Sequence, residues 1–208
     1  MTARDHILGR IRRSTQGHAD MPPPLRPTLA TPTGEIAIEQ FITKAQKVDA
    51  TVSRIASLDE LPVALGEELR RRNLPAAIRT GADPAFARDW GGIEHTTGPG
   101  RIEEPAAMTR AEFGMAETGS LVFASGPDNP VTLNFLGETH FAVVHARDII
   151  GGYEDLWAAW RQRGLTPRTT NFITGPSRSA DIGQTLQLGA HGPVALHVFV
   201  VGEAGRSA

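Results

Sequence analysis

Two short segments near the C-terminal end of the chain concentrate the side chains that are best suited to bind or transform a ligand. The first is Thr174-Gly-Pro-Ser-Arg-Ser-Ala-Asp181, and the second is Gly189-Ala-His-Gly-Pro193. Both lie between apolar stretches that have the pattern of strands. Together they supply a hydroxyl, a guanidinium, a carboxylate and an imidazole beside backbone amides, which a simple turn does not require. The two segments therefore predict a functional site.

The first segment is interpreted as a strand that ends at Thr174 and a helix that begins near Pro176. Proline suits the first helical position because its missing N–H would have no partner there. Free amides and the dipole at such a helix start stabilise an anion, and Arg178 would add a contact to a carboxylate or phosphate. The alternative is a capped helix whose Asp181 pairs locally instead of orienting Ser177 or Arg178. The predicted ligand-binding residues of this segment are Thr174, Gly175, Ser177, Arg178 and Asp181.

The second segment places His191 shortly before an apolar stretch, between glycines that allow a close approach of the backbone. A histidine in this position can act as an acid or a base, or it can hold a ligand oxygen. We therefore predict His191 as a catalytic residue and Gly192 as a ligand-binding residue. The alternative is a histidine that satisfies a backbone carbonyl and fixes the loop.

A third motif, Glu117-Thr118-Gly119, lies at a tight turn between two apolar, strand-like runs. A carboxylate there could act as a nucleophile, a base or a ligand anchor, depending on its burial, so Glu117 is the second predicted catalytic residue. Thr118 and Gly119 are predicted to contact the ligand, although shaping the turn is the simpler role for both. The alternative for Glu117 is a turn glutamate that faces solvent.

The composition narrows the classes of function. The chain has 208 residues, a formal net charge of −2 and no cysteine. This length fits one domain, the charge does not favour nucleic-acid binding, and no thiolate is present to ligate zinc or an iron–sulfur cluster. No spacing of histidines or carboxylates indicates a metal site, and no apolar run approaches the ~20 residues that cross a bilayer. We expect a cytoplasmic protein with no metal, no membrane span and no nucleic-acid partner.

Hydrophobic periodicity predicts alternating helices and strands from residue 35 onwards. Helical periods cover residues 38–48, 59–72 and 149–163, and apolar runs predict strands at 51–55, 75–80, 93–97, 141–145, 171–174 and 194–201. Two further runs flank the turn at Glu117, within residues 113–124. Such alternation is typical of a three-layer α/β/α fold with a largely parallel sheet.

The predicted organisation of the chain has three parts. Residues 1–34 combine a short amphipathic helix with a proline-rich, extended arm. Residues 35–203 form the α/β domain, and residues 204–208 form a flexible tail.

Four sequence features occur in the same order in one known family. Ala116-Glu-Thr-Gly-Ser-Leu-Val-Phe123 is followed by His140-Phe-Ala-Val-Val144, by Thr174–Ile182 and by Gly189–Pro193 with Leu196-His-Val. Over residues 36–201 the chain resembles the LUD-domain proteins, and among them the YkgG type. One segment departs from the family pattern, since Leu133-Asn-Phe-Leu-Gly137 stands where a Leu-Pro-type turn is usual.

The resemblance implies a fold similar to the ribose-5-phosphate isomerase and CoA-transferase superfamily. It also implies a component of an L-lactate utilisation system, which oxidises lactate to pyruvate beside iron–sulfur partner proteins. The clusters would belong to the partners, and the crevice of this chain would bind a small carboxylate or a phosphate-bearing ligand. Two alternatives remain open, namely a non-catalytic assembly subunit and a stand-alone transferase or ligase-like enzyme acting on a CoA, nucleotide or phosphorylated substrate. Whether the chain is itself an enzyme is left open as well.

Overall fold

The computed structural model describes residues 3–15, 31–180, 186–188 and 191–203. The helices are α1 (Ala3–Thr15), α2 (Gly34–Lys47), α3 (Leu61–Arg71), α4 (Thr132–Phe135) and α5 (Tyr153–Gln162). The strands are β1 (Thr51–Ile55), β2 (Ala77–Thr80), β3 (Glu94–Thr97), β4 (Ala106–Arg110), β5 (Phe113–Met115), β6 (Ser120–Ala124), β7 (Thr139–His145), β8 (Ile149–Ile150), β9 (Thr170–Ile173), β10 (Arg178–Ala180), β11 (Leu186–Leu188) and β12 (Ala195–Val201).

The chain divides into two units, residues 1–30 and residues 31–208. In the first unit, α1 confirms the predicted N-terminal helix, and Ile7 and Ile11, which lie one turn apart, are both more than half exposed. The boundaries expected at residues 34 and 203 remain predictions. None of the helices that the structure describes is both long and apolar enough to cross a membrane.

Six parallel strands form the main sheet of the second unit, in the order β1-β12-β7-β4-β2-β3. The central pair is β12 and β7, in which Phe141 lies opposite His197 and Val143 lies opposite Phe199. Both strands are apolar on their two faces because other elements cover both sides of the sheet, as parallel sheets require. The predicted fold class, an α/β protein with a largely parallel sheet, is confirmed.

Two apolar clusters pack on the two faces of the main sheet. On one face the leucines of α3 contact Phe141 and Phe199. On the opposite face Ile38 and Phe41 of α2 belong to a cluster that includes Val198 of β12. Successive side chains of a strand point to opposite faces, so β7 and β12 contribute to both clusters.

A second sheet adds to the layer on the α2 side of the main sheet. It has four strands in the order β8-β5-β6-β9, of which β5 with β8 is the parallel pair. Phe123 of β6 joins the cluster of α2, whereas Trp160 of α5 packs against Phe113 of β5 with ring centroids 6.2 Å apart. The sequence analysis did not predict this second sheet as separate from the first.

One predicted helix begins later than expected, and a second predicted helix does not form. Ile149–Ile150 form β8, and α5 begins only after Gly151 and Gly152. The residues after Pro176 form β10, which pairs antiparallel with β11, so no helix begins there. The amide of Ser177, which a helix start would leave free, donates instead to the carbonyl oxygen of Pro193 at 2.9 Å.

Most of the remaining elements of the second unit lie close to the positions that the sequence predicts. Helices α2 and α3 and strands β1, β2, β3, β5, β6, β7, β9 and β12 lie at or near their predicted positions. Asp83 caps the short 3-10 helix Pro84–Phe86 by accepting a hydrogen bond from the amide of Ala85 at 2.8 Å. Strand β4 and helix α4 were not predicted, although β4 lies near the centre of the main sheet.

Candidate functional site

The two segments that the sequence singled out come together in space. Besides the hydrogen bond between Ser177 and Pro193, a side chain added at Gly192 would place its Cβ 3.3 Å from the Cβ of Ser177. The amide of Val194 donates to the carbonyl oxygen of Glu138 at 2.8 Å, which fixes the second segment against the start of β7. The two loops are therefore held side by side at the edge of the main sheet where β7 and β12 begin.

A pocket of about 210 Å³ opens where these loops meet the main sheet. It is lined by Asn134, Phe135, His140, Phe172, Ile173, Thr174, Gly175, Pro176, Ser177, His191, Gly192, Pro193 and Leu196. The pocket lies at the amino ends of β7 and β12 and at the carboxyl end of β9. Ligands of doubly wound α/β proteins usually bind at the carboxyl ends of the parallel strands, so the topology alone does not predict this location.

Five of the predicted site residues line this pocket, namely Thr174, Gly175, Ser177, His191 and Gly192. No lysine or arginine is among the described residues that line it. Within the part of the chain that the structure describes, no three His, Asp or Glu side chains gather closely enough to hold a metal ion. The pocket can therefore recognise a ligand through neutral hydrogen-bonding groups, backbone amides and the ring of His191.

Two buried polar residues that the sequence analysis did not select also line the pocket. Asn134 and His140 are each 1% exposed, and both contact the hydroxyl of Thr109 on β4. The Thr109 Oγ1 atom lies 2.9 Å from Oδ1 of Asn134 and 2.7 Å from Nε2 of His140. Among the described residues, neither Nδ2 of Asn134 nor Nδ1 of His140 has a hydrogen-bond partner.

His140 is uncharged at neutral pH. Burial lowers the pKa of its imidazole to about 3, because the surrounding apolar groups cannot solvate the charged form. One neighbour is the ring of Phe123, whose centroid lies 5.5 Å from that of His140. His140 therefore serves the pocket as a neutral donor or acceptor and not as a cation.

Gly175 connects the pocket to the end of α2. Its φ is +79°, in the region that favours glycine, and a Cβ there would lie 2.2 Å from the carbonyl oxygen of Val48. No other residue type fits this position without moving the loop. Gly175 thus sets the path of the chain from Thr174 to Ser177.

Arg178 is not in the pocket as predicted, and the prediction for Asp181 is untested. Arg178 lies on β10, where it forms a salt bridge with Asp49, and it is not among the residues that line the pocket. Asp181 lies outside the described residues, as do Gly189 and Ala190 of the second segment.

We expect the substitution Arg178→Ala to leave ligand binding unchanged. The two side chains of its salt bridge are 47% and 50% exposed, and exposed pairs contribute at most about 1 kcal/mol to folding. Calorimetric titration with L-lactate and urea denaturation of the same variant measure the two effects. A tenfold loss of affinity would show that Arg178 reaches the ligand after all.

The Glu117 turn lies outside the lining of the pocket. Glu117 is exposed, and its amide donates to the carbonyl oxygen of Gly151 at 3.0 Å. Gly119 has a φ of +73°, and a Cβ there would lie 2.3 Å from the amide nitrogen of Ala45, so this glycine packs the turn onto α2. The structure thus gives Gly119 a packing role and leaves Glu117 facing solvent.

Three hydroxyl groups connect this turn to the pocket. Thr118 Oγ1 lies 2.7 Å from Oγ of Ser120, which in turn lies 2.6 Å from Oγ1 of Thr174. Ser120, in the middle of this chain of hydroxyls, is only 2% exposed, whereas Thr174 at its pocket end is exposed. Thr118 therefore reaches the pocket indirectly, through Ser120 and Thr174.

A separate polar cluster lies on the other face of the main sheet. His197 of β12 is 1% exposed, and its Nδ1 lies 2.7 Å from Oγ1 of Thr51 and 3.5 Å from Oε2 of Glu68. Burial lowers the pKa of this histidine to about 4. His197 is therefore also neutral at physiological pH, and it belongs to the core rather than to the pocket.

The part of the chain that forms this pocket is similar to a known protein family. Residues 105–201, which carry most of the pocket lining, match the LUD domain. This similarity to the LUD domain extends over just under half of the chain. Lactate utilization protein C of Anoxybacillus flavithermus is 35% identical to it over 94 residues, which cover 45% of this chain and 42% of that protein.

A second relative and a solved structure are similar to this chain as well. Lactate utilization protein C of Bacillus subtilis is 35% identical over 100 residues, which cover 46% of this chain and 42% of the relative. The alignments thus span about two fifths of the length of these relatives. A DUF162-family protein of Deinococcus radiodurans, solved as a crystal structure, superposes with a TM-score of 0.59 at 21% identity and covers 80% of this chain and 96% of that chain, which shows a shared fold.

Proposed function

We propose that the chain is a component of an L-lactate utilisation system and that its pocket binds a small carboxylate or phosphate-bearing ligand. The observation that carries the proposal is the pocket itself, where the loops 174–177 and 191–193 meet the buried pair Asn134 and His140. The names of the matching relatives support the choice of lactate. The anion would be held by backbone amides, by Ser177 and by His191.

We further propose that iron–sulfur partner proteins carry the electrons of the reaction. Oxidation of lactate to pyruvate releases an electron pair, which needs an acceptor. This chain contains no cysteine, so it has no thiolate with which to ligate a cluster of its own. This chain would then bind the ligand, and its partners would transfer the electrons.

An assembly role without catalysis is the second candidate function. The partly exposed ring of Phe172, which lines the pocket, contacts two further partly exposed aromatic residues, Tyr153 and Trp157. Aromatic side chains of this kind are enriched at protein–protein interfaces. A stand-alone transferase or ligase-like activity is less well supported, because Glu117, its candidate nucleophile, is exposed and outside the pocket lining.

Growth on lactate tests the proposal. In the source organism, deletion of this chain is expected to abolish growth on L-lactate as the carbon source, and the wild-type chain should restore it. The variant Gly192→Val should fail to restore growth, because its side chain would fill the space next to Ser177. The control Gly126→Val, where the nearest atom to an added Cβ is 3.9 Å away and no pocket residue is involved, should restore growth.

The outcomes of this experiment separate the candidate functions. Normal growth of the deletion strain on lactate would contradict the lactate role. Full rescue by Gly192→Val, with the variant shown to be folded by circular dichroism, would contradict the role of the pocket and leave the assembly function.

A further inference from the structure

The protons of the Thr109 cluster determine what the pocket offers to a ligand. Thr109 Oγ1 carries one hydrogen but contacts both Asn134 and His140. When the hydroxyl donates to Oδ1 of Asn134, Nε2 of His140 must carry a hydrogen and donate it to Thr109. Since His140 is neutral, its Nδ1 then has a free lone pair, while Nδ2 of Asn134 keeps free N–H groups.

The opposite arrangement of the hydrogens also leaves one free donor and one free acceptor, but the donor is then on His140 and the acceptor on Asn134. If the amide of Asn134 were turned to donate to Thr109, the hydroxyl would donate to Nε2 of His140, and Nδ1 would carry the hydrogen. The free atoms would then be an amide oxygen and an N–H. A hydroxyl hydrogen that pointed to neither residue would lose a hydrogen bond at a buried site, which is unfavourable.

Each arrangement therefore leaves one unpaired donor and one unpaired acceptor on two residues that are 1% exposed and line the pocket. Unpaired polar groups are rare in protein interiors, and each one needs an explanation. A ligand hydroxyl matches this pair, because one oxygen atom both donates and accepts. A ketone or carboxylate oxygen only accepts, so it would satisfy the donor and leave the acceptor unpaired.

We propose that Asn134 and His140, aligned by Thr109, are specificity-determining residues that recognise a hydroxyl group of a small ligand. The choice of lactate as the hydroxylated probe rests on the proposed function, whereas the preference for a hydroxyl over a keto group rests on the cluster alone. Thr109 is a positioning residue, since it contacts both Asn134 and His140 but is not itself among the described residues that line the pocket.

Three acids of equal charge and similar size test this inference, namely L-lactate, pyruvate and propionate. In calorimetric titrations of the wild-type protein, L-lactate should bind at least about tenfold more tightly than the other two, because only its hydroxyl satisfies both groups. Asn134→Leu should reduce the affinity for L-lactate to that for propionate and leave propionate binding unchanged. Asn129→Leu, which replaces an asparagine outside the pocket lining, should keep the preference.

A second measurement needs no variant. Nitrogen NMR of the wild-type protein should show a neutral His140 whose Nδ1 resonance shifts on addition of L-lactate and does not shift with propionate. Equal affinity for the three acids, or an Nδ1 resonance that ignores L-lactate, would overturn hydroxyl recognition and leave the pocket as a carboxylate site. Absence of binding by all three acids would overturn the inference and also the ligand assigned under the proposed function, while growth on lactate still decides the role of the chain.

Discussion

Replacement of Gly175 by alanine is expected to destabilise the protein by roughly 2–5 kcal/mol, because a left-handed backbone costs alanine about 1–2 kcal/mol and an overpacked site costs about 1–3 kcal/mol more. The new Cβ would lie 2.2 Å from the carbonyl oxygen of Val48, and the φ of +79° is unfavourable for alanine as well. The loop must leave the end of α2 to relieve the overlap, and Thr174 and Ser177 would move with it. Urea denaturation of the wild type and the variant measures the free energy of unfolding.

Gly164→Ala is the matched control for this substitution. Gly164 has a similar φ of +62°, but no atom lies within 4 Å of an added Cβ. Its alanine variant should therefore lose only the conformational part, about 1 kcal/mol. The same loss in both variants would show that the loop does not pack on Val48 as described.

Acidification is expected to destabilise the protein well before its carboxylates are protonated. His140 and His197 have pKa values of about 3 and about 4 in the folded protein, against 6.5 for an unperturbed histidine. Below pH 6.5 these histidines are protonated in the unfolded chain but stay neutral in the folded protein. The free energy of unfolding therefore falls as the pH falls from 6.5 towards the pKa values of the folded state, and the contribution of the two histidines is complete above pH 6.5. Each histidine contributes a slope of up to about 1.4 kcal/mol per pH unit.

The two histidines together would remove up to about 5 kcal/mol between pH 6.5 and pH 4.5. Burial also lowers the pKa values of His95 and His145, which act in the same direction. Urea denaturation at four pH values across this window measures the slope. His197→Phe should reduce the slope by the part that one histidine contributes, about half of the slope of the two buried rings together. A free energy of unfolding that stays constant from pH 7 to pH 5 would contradict the burial of both rings in their neutral form.

Apolar periodicity predicted the fold well where burial was complete. β7 and β12 read as continuous apolar runs because both faces of a central parallel strand are covered. β4 was missed although it is equally buried, since Ala106-Ala-Met-Thr-Arg110 contains neither a β-branched aliphatic nor an aromatic residue. Its position in the sheet is set by its neighbours β7 and β2, which local sequence cannot show.

The helix predicted after Pro176 does not form, and the prediction was wrong because it rested on the local sequence alone. A proline at a strand end is compatible with a helix start and equally with a turn into a hairpin. The antiparallel pairing of β10 with β11 shows that a strand forms there, and the hydrogen bond from Ser177 to Pro193 joins residues that are distant in the sequence. The same distance explains why the sequence could not show that the two loops form one pocket.

The candidate site was predicted in part, from the residue types of its loops. His191 and Ser177 were selected because polar residues among glycines stand out between apolar strands, and both line the pocket. Asn134 and His140 were not selected, since each is a single polar residue beside apolar neighbours. The one local signal for His140 was its position as a polar residue near the start of β7, a largely apolar strand.

We propose that the pocket between loops 174–177 and 191–193 is the ligand site of the chain. Calorimetric titration of the wild type and of Gly192→Val with L-lactate tests it most directly. The wild type should bind, and the folded variant should lose binding by at least about tenfold, because its side chain occupies the space beside Ser177. Equal affinity of the wild type and the folded variant for L-lactate would contradict the claim.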